Sequence, residues 1–283
     1  REGIEKFNEI RNSRYENTKA DDLIIPSVDT ENKTANKSFS IEVNSINQLL
    51  AVDVPKVSSI YYGDFYSVLE AYELNDNIIP ILPEISKDSE FESLYNTLNQ
   101  MPGLKRIMVR TIGQLHYFKE FYEVETDFTF NITNQHSIKF LENQGVEKIT
   151  LSEELSGKQI SDLKGPLELV VFGHQRMMIT EYCIYRANDS CDECSLEGSY
   201  LNDSFNNRYP LMRGFGCRMK IMNNRPLNLL KFIGEISNLN MRLRFTIENE
   251  EAVKDIIRSF NRGTYHDFDK QPYTIGHFVN GVI

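Results

Sequence analysis

The 283-residue sequence predicts an α/β fold, a TIM-like (β/α)8 barrel over residues 38–262, and three observations carry that prediction. Short β-rich runs alternate with stretches whose apolar residues recur at three and four, the pattern of parallel strands joined by covering helices. The β-rich runs are eight in number, the count that closes such a barrel. The chain also has the ~250 residues such a barrel usually needs.

Residues 1–37 read as an N-terminal helix, amphipathic on Ile4, Phe7 and Ile10, and a polar, turn-rich linker. The strands follow as Phe39–Val43, Ser58–Tyr62, Ile78–Leu82, Arg106–Arg110, Asp127–Ile132, Lys148–Leu151, Glu168–Phe172 and Met241–Ile247. Helical patterns lie between them: Phe65-Leu69-Tyr72, Phe91-Leu94-Tyr95-Leu98, His136-Phe140-Leu141 and Leu229-Phe232-Ile233-Ile236. Residues 263–283 form a C-terminal tail. One connection departs from the short-loop rule. Residues 173–226, between strands seven and eight, are an insertion, expected as a mini-domain with a small hairpin around Tyr200-Leu201-Asn202-Asp203 and Arg208-Tyr209. Because it leaves the C-terminal end of strand seven, it must sit at the face where barrel enzymes place their active sites.

All four cysteines, Cys183, Cys191, Cys194 and Cys217, fall in that insertion. Buried apolar thiols scatter through a core, so this clustering points to joint action on one centre, a zinc ion or an iron–sulfur cluster. Cys191-Asp192-Glu193-Cys194 sets two thiolates one turn apart, and Cys183 and Cys217 complete a tetrahedron. Disulfides are the rival reading, suited to small oxidised domains that lack a sufficient core.

Between Ser204 and Gly234 the chain carries Arg208, Arg213, Arg218, Lys220, Arg225 and Lys231 and no carboxylate. Such a basic edge either compensates a tetrathiolate charge or binds anions, RNA phosphates among them; Arg213, Arg218 and Lys220, with Asn131 and Asn134, are its candidate substrate-binding residues. The formal charge of −10 argues against a protein coated for nonspecific nucleic-acid binding. At the expected strand ends stand Asn44, Asp64, Glu84, Arg110, Ser152, Glu153, Glu154, His174 and Arg176. Glu153, Glu154, His174 and Arg176 are the catalytic candidates. Adjacent carboxylates at a strand-to-helix junction also serve simply as helix N-terminal charges, and a histidine there also serves as a hydrogen-bonded structural group. No Gly-x-Ser-x-Gly elbow, His-Glu-x-x-His helix or Walker loop is present, so neither a serine protease nor a zinc protease of those types has a carrier. No apolar run approaches the ~20 residues of a membrane helix.

Several segments together resemble peptidase family U-32, the collagenase-like peptidases. They are Leu167 to Gly173 followed by Met177-Met178-Ile179-Thr180-Glu181-Tyr182-Cys183, the Cys-x-x-Cys, Tyr200-Leu201-x-Asp203, Tyr209-Pro210-Leu211, Cys217-Arg218 and Asn223 to Leu229. Asn131-x-x-Asn134, Leu151 to Leu155 and the tail Tyr273 to Val282 add to the likeness. The resemblance implies a bacterial, cytoplasmic enzyme or enzyme part. Its relatives are labelled peptidases but include hydroxylation factors for tRNA and ribosomal RNA and for ubiquinone synthesis. Several bind a 4Fe–4S cluster through four cysteines, and many are longer, with another barrel ahead of the part seen here. The resemblance thus implies hydroxylation of an RNA base, with zinc as the alternative metal, and a collagenase-like peptidase or a metal-stabilised interaction domain as the alternative functions. His174 and Arg176 stand where arginine and proline are expected, Ile184 where proline is, and Asn280 where arginine is. No sequence feature sets an oligomeric state.

Overall fold

A computed structural model describes residues 2–13, 39–52, 57–188, 191, 198–236, 239–262 and 272–282. Helix α1 (Glu2–Ser13) stands first. The central sheet is then built from β1 (Phe39–Val43), β2 (Val57–Tyr62), β3 (Ile78–Pro80), β4 (Arg106–Val109), β5 (Glu123–Thr126), β6 (Lys148–Thr150) and β7 (Leu167–Thr180). Between them run α2 (Ile46–Leu50), α3 (Val68–Leu74), α4 (Asp88–Leu98), α5 (Ile112–Phe118), α6 (Gln135–Asn143) and α7 (Gly157–Ser161). After β7 come α8 (Ile184–Ala187), β8 (Tyr200–Asn202), β9 (Arg208–Arg213), β10 (Met219–Asn228), β11 (Asn240–Arg244) and α9 (Glu250–Arg262).

The fold is mixed α/β with a large, mostly parallel, barrel-like sheet. Its parallel path runs β3-β2-β1-β11-β7-β6-β5-β4, and a parallel bridge from Ile81 to Met108 links the segments following β3 and within β4. Helix starts follow ordinary capping chemistry. Ser45, Thr111, Asn134 and Ser156 each accept a backbone N–H from the residue three further on.

Alternation along the strands sorts the two faces. In β1, Phe39, Ile41 and Val43 join the apolar core beneath the helices, while buried Ser40 and Glu42 alternate with them. In β11, Met241 and Leu243 alternate likewise with Arg242 and Arg244. The polar set lies on the other face of the sheet, beside a small apolar cluster of Tyr61, Ile79, Ile81 and Met108.

Three sequence expectations need correction. The fifth strand is Glu123–Thr126, not Asp127–Ile132. The ladder with β4 runs from Arg106↔Glu123 to Val109↔Thr126, and Phe128–Phe130 forms a 3-10 turn that closes on left-handed Asn131. The aromatic and β-branched composition of that turn mimics a strand. The Leu229-to-Ile236 pattern is not an α-helix. Asn228 Oδ1 accepts the Leu230 N–H and starts a turn, so only Leu230–Phe232 is helical, and of the 3-10 kind. Finally, the chain does not leave the sheet at Gly173. Strand β7 continues to Thr180, and β10 returns antiparallel beside it, from Met219↔Thr180 to Asn228↔Phe172. β9 pairs antiparallel with β10, and β8 with β9, which gives the expected hairpin.

The resulting arm continues the sheet through β7, β10 and β9 and carries a small apolar cluster of its own, Leu211 and Met219 with Ile184, Tyr185 and Ile221 against them. Gly173 permits its departure: φ is 133°, and a Cβ there would meet the Arg244 carbonyl oxygen at 2.2 Å. Tail residues 272–282 lie back on the protein. Asn228 N–H donates to Thr274 O, Gly157 N–H donates to Phe278 O, and the Phe278 ring is buried.

Candidate functional site

Charge placed on the inner alternation of the strands would be prohibitive unless paired, and it is paired throughout. Arg242 of β11 is fully buried. Its Nε donates to Glu168 at 2.7 Å, Nη1 to Asp127 at 2.8 Å and to Glu42 at 3.2 Å, and Nη2 to Thr150 at 2.6 Å and to Glu168. Its guanidinium lies over the Tyr61 ring at 4.5 Å. Arg110, at the end of β4, shares the same carboxylates. Its Nε donates to Asp127 at 2.7 Å, Nη1 to Glu84 at 3.1 Å, and Nη2 stands 3.6 Å from Glu42. Burial alone would raise Asp127, but Arg110 and Arg242 hold its carboxyl well below the usual range. Burial is likewise outweighed at Glu168, where Arg242 and Lys148 lower the carboxyl.

Nearer the C-terminal strand ends, Glu84 receives three cations: Arg110, Arg176 at 3.0 Å and Lys220 at 3.1 Å. Together they lower its pKa against the effect of burial. Glu153 behaves oppositely. Burial raises its carboxyl, and the Arg244 N–H at 2.7 Å offsets that only in part, with Asp127 and Glu42 adding to the rise. Arg244 also donates to the His174 carbonyl at 3.2 Å, while its Nε and Nη1 are buried without a hydrogen-bond partner among the described residues. Arg176 and Arg244 both lie against the Phe128 ring, at 5.7 and 4.9 Å. The mouth therefore combines a carboxyl raised by burial with two arginines paired to carboxylates, Arg176 to Glu84 and Arg244 to Glu153.

Beside the mouth opens a cleft of about 1190 Å³ between the β8–β9 turn, β10 and α9, with His174 and Glu248 among its lining. His174 Nδ1 lies 2.7 Å from the Asn223 carbonyl, which only accepts, so Nδ1 carries the proton. Nε2 then faces Glu248 Oε1 at 3.7 Å, and Glu248 Oε2 is anchored by the backbone N–H groups of Thr246 and Ile247. Both side chains are thus held in place from behind, His174 by a backbone carbonyl and Glu248 by two backbone amides.

The arm carries the cysteines. Thr180↔Met219 is the last rung between β7 and β10, so Cys183, three residues beyond, and Cys217, two residues before, leave from the same end of the arm. Cys183, Cys191 and Cys217 are all free thiols, not disulfides; Cys194 lies outside the described residues. Among the described residues no group of three or more metal-ligating side chains is already assembled.

Of the residues singled out in the sequence, Glu153, His174 and Arg176 gather at the mouth, joined by Arg244 and Glu84. Glu154 does not: it is exposed and turned outward. Asn134 serves as the N-cap of α6, and Asn131 accepts from the Ser152 hydroxyl at 2.6 Å. The basic edge is only partly available. Arg218 is buried against Glu181 and Glu90, and half-buried Lys220 pairs with Glu84, so neither presents a free charge. Arg213 lies exposed on the Tyr66 ring at 4.1 Å and Arg208 on Tyr200 at 4.3 Å. Arg242, Asp127, Glu168, Glu42, Arg244 and Glu248 escaped the sequence reading. Their signal was a charge at alternate positions inside apolar runs, as in Met241-Arg242-Leu243-Arg244.

A family model described as peptidase family U32 matches residues 68–242. A solved structure described as that of the U32 peptidase Mk0906 is similar at a TM-score of 0.47 and 12% identity, covering 81% of this chain and 100% of that one. No curated protein matches.

Proposed function

Since the chain belongs to peptidase family U32, we propose that it is a cysteine-ligated iron–sulfur protein, or part of one, that serves hydroxylation of an RNA base from the cytoplasm, within a longer polypeptide. The parallel path with its Ile81–Met108 bridge supports reading the sheet as a closed (β/α)8 barrel whose mouth is the reaction chamber. The observation that carries the reading is the β7–β10 register, which starts Cys183 and Cys217 from one end of the arm with their thiols unpaired. Four thiolates suit a 4Fe–4S cluster, with zinc as the alternative, and Cys183, Cys191, Cys194 and Cys217 would hold either. A cluster would supply single-electron transfer; zinc would hold the arm together.

The chain's own residues supply the rest. Glu153, its carboxyl raised by burial and held by Arg244, is the acid–base candidate at the mouth, and Arg176 and Arg244 bring positive charge to where an anionic cosubstrate would lie. The exposed guanidinium–tyrosine stacks, Arg213 on Tyr66 and Arg208 on Tyr200, are of the kind that bind single-stranded RNA.

Anaerobically purified protein is expected to absorb in the near-visible range and to contain iron and sulfide. Colourless protein without metal would overturn the cluster. The second reading, a peptidase, is favoured by the His174–Glu248 pair, which has the arrangement to activate a water. Cleavage of denatured collagen, lost in H174A and retained in C183S, would establish it instead.

A further inference from the structure

Cys217 holds a backbone conformation that a cysteine adopts only under constraint. Its φ is 58°, directly after Gly216 at 68°, so two successive residues are left-handed and only the first is a glycine. Such a residue persists where its surroundings determine it. On the other side of the turn, the Gly214 N–H donates to Arg218 O at 2.7 Å, and Arg218 Nη1 reaches back to Phe215 O at 3.3 Å. These bonds close the loop, yet neither touches the amides of Gly216 and Cys217.

Those two amides converge on one atom. Gly216 N–H donates to Tyr66 Oη at 2.9 Å and Cys217 N–H to the same oxygen at 3.4 Å. Consecutive left-handed or turn residues form a small N–H concavity of this kind, which ordinarily receives an anion. Here a phenol oxygen from the loop after β2 fills it. Tyr66 is placed for this from its own side. Its N–H donates to Asp64 Oδ1 at 3.3 Å, its ring packs on Phe215 with centroids 5.5 Å apart, and Arg213 lies over it. The ring contacts would serve a phenylalanine as well. Only the two amides require the hydroxyl.

We propose that Tyr66 is the positioning residue of Cys217: it crosses from the β2–α3 loop to the arm, locks the left-handed turn and so fixes the direction in which the Cys217 thiolate is offered to the cysteine centre. The inference rests on the reading of the four cysteines as one centre. With both oxygen lone pairs engaged by the amides, the two N–H groups are withheld from the sulfur. Thiolate sulfurs that accept fewer N–H bonds carry more of their charge to the metal.

The test is Tyr66→Phe, which keeps the ring and removes the acceptor. In metal-free protein, amide exchange at Gly216 and Cys217 should rise roughly fivefold to tenfold, the loss of one ordinary hydrogen bond. Cys217 alkylation by iodoacetamide should quicken while that of Cys191 stays constant. In loaded protein the thiolate-to-metal absorption band should shift and metal release to a chelator should quicken, neither of which a merely packed tyrosine would change. Unchanged exchange in Y66F overturns the inference even if wild type binds metal. Faster exchange and alkylation in a wild-type background that takes up no metal upholds the role of Tyr66 in fixing the turn and removes the cysteine centre instead.

Discussion

The Glu181 carboxylate accepts two hydrogen bonds from the Arg218 guanidinium, from Nε at 3.1 Å and from Nη2 at 3.0 Å. Glu181 stands two residues before Cys183 and Arg218 immediately after Cys217. One ion pair therefore ties together the two chain segments that bear the outer cysteines, and Arg218 Nη1 extends the tie to the Ile85 carbonyl beyond β3. Arg218 is buried while Glu181 is exposed, so the arginine holds the arm to the sheet and the carboxylate serves mainly as its partner.

Arg218→Ala should therefore loosen the arm without unfolding the sheet. Loss of several hydrogen bonds from a buried guanidinium is worth about 1.5–3 kcal/mol locally. Limited proteolysis should cut within the arm, at positions protected in the wild type, and global unfolding should shift little. An arm as resistant in R218A as before would show that the β7–β10 ladder alone holds it.

Arg242→Met is the corresponding test of the interior. It leaves Glu168, Asp127 and Glu42 buried without their shared cation. Breaking a buried pair from one side costs about 3–5 kcal/mol, because the charges left behind remain desolvated. Denaturant unfolding should register a loss of that size; a change under about 1 kcal/mol would mean that water enters the network and solvates it.

The fold was legible in the sequence where two periodicities agreed. β1, β2, β4 and β11 announced themselves by their β-rich composition, whereas the roles of Glu42 and Arg242 within them did not, because their burial makes sense only once the ion pairs that link separate strands are known. The fifth strand was missed for a local reason. Phe128-Thr129-Phe130 has the composition of a strand, whereas Glu123-Val124-Glu125-Thr126, with only Val124 apolar, gains its place from ladders on both sides. The arm followed the same logic. The Gly173 turn and the Met177–Ile179 run read as the start of a loop, but pairing with Met219–Ile221 turns them into strand. Glu153, His174 and Arg176 were visible because strand ends can be counted. Glu248 and Tyr66 were not, since their roles depend on contacts separated by dozens of residues.

Acid should destabilise the protein through Asp127, Glu84 and Glu168. Their folded carboxyls are lowered by cation partners, so they contribute stability present above their unfolded values of ~4. That stability is lost as pH falls through the lower folded values. Glu153 and Glu125 run the other way: burial raises them, so their contribution is greatest below ~4 and declines as pH rises through their folded values. Glu153→Gln should flatten the upper limb of the stability profile and leave the acid limb intact. Loss of the acid limb in E153Q would assign the titration to the wrong group.

Single Cys→Ser changes at Cys183, Cys191, Cys194 and Cys217 should act alike if the four serve one centre. Each should lose the metal and open the arm to protease while the sheet keeps its unfolding midpoint, because metal binding is folding energy for the arm alone. Metal retained in C191S but lost in C217S would split the set into ligands and bystanders.

RNA binding should follow the exposed charges of the basic edge. Arg213, Arg218 and Lys220 were the basic sequence candidates, but Arg218 is buried and Lys220 half-buried on carboxylates, and reversing either of these two would damage the arm before it altered any RNA contact. Of the arginines of the basic edge, Arg208, Arg213 and Arg225 are exposed, the first two lying on the Tyr200 and Tyr66 rings. Each phosphate neutralised by such a group adds about 0.7 to the slope of log affinity against log salt for a single strand. R208E combined with R225E should therefore weaken binding of a short single-stranded RNA and flatten its salt dependence by about one to one and a half in slope. Neither residue belongs to a buried ion pair, so the folded arm and the metal content should stay as in the wild type. Unaltered affinity and slope would remove RNA from this face and leave the His174 cleft, with its mixed charges, to a peptide.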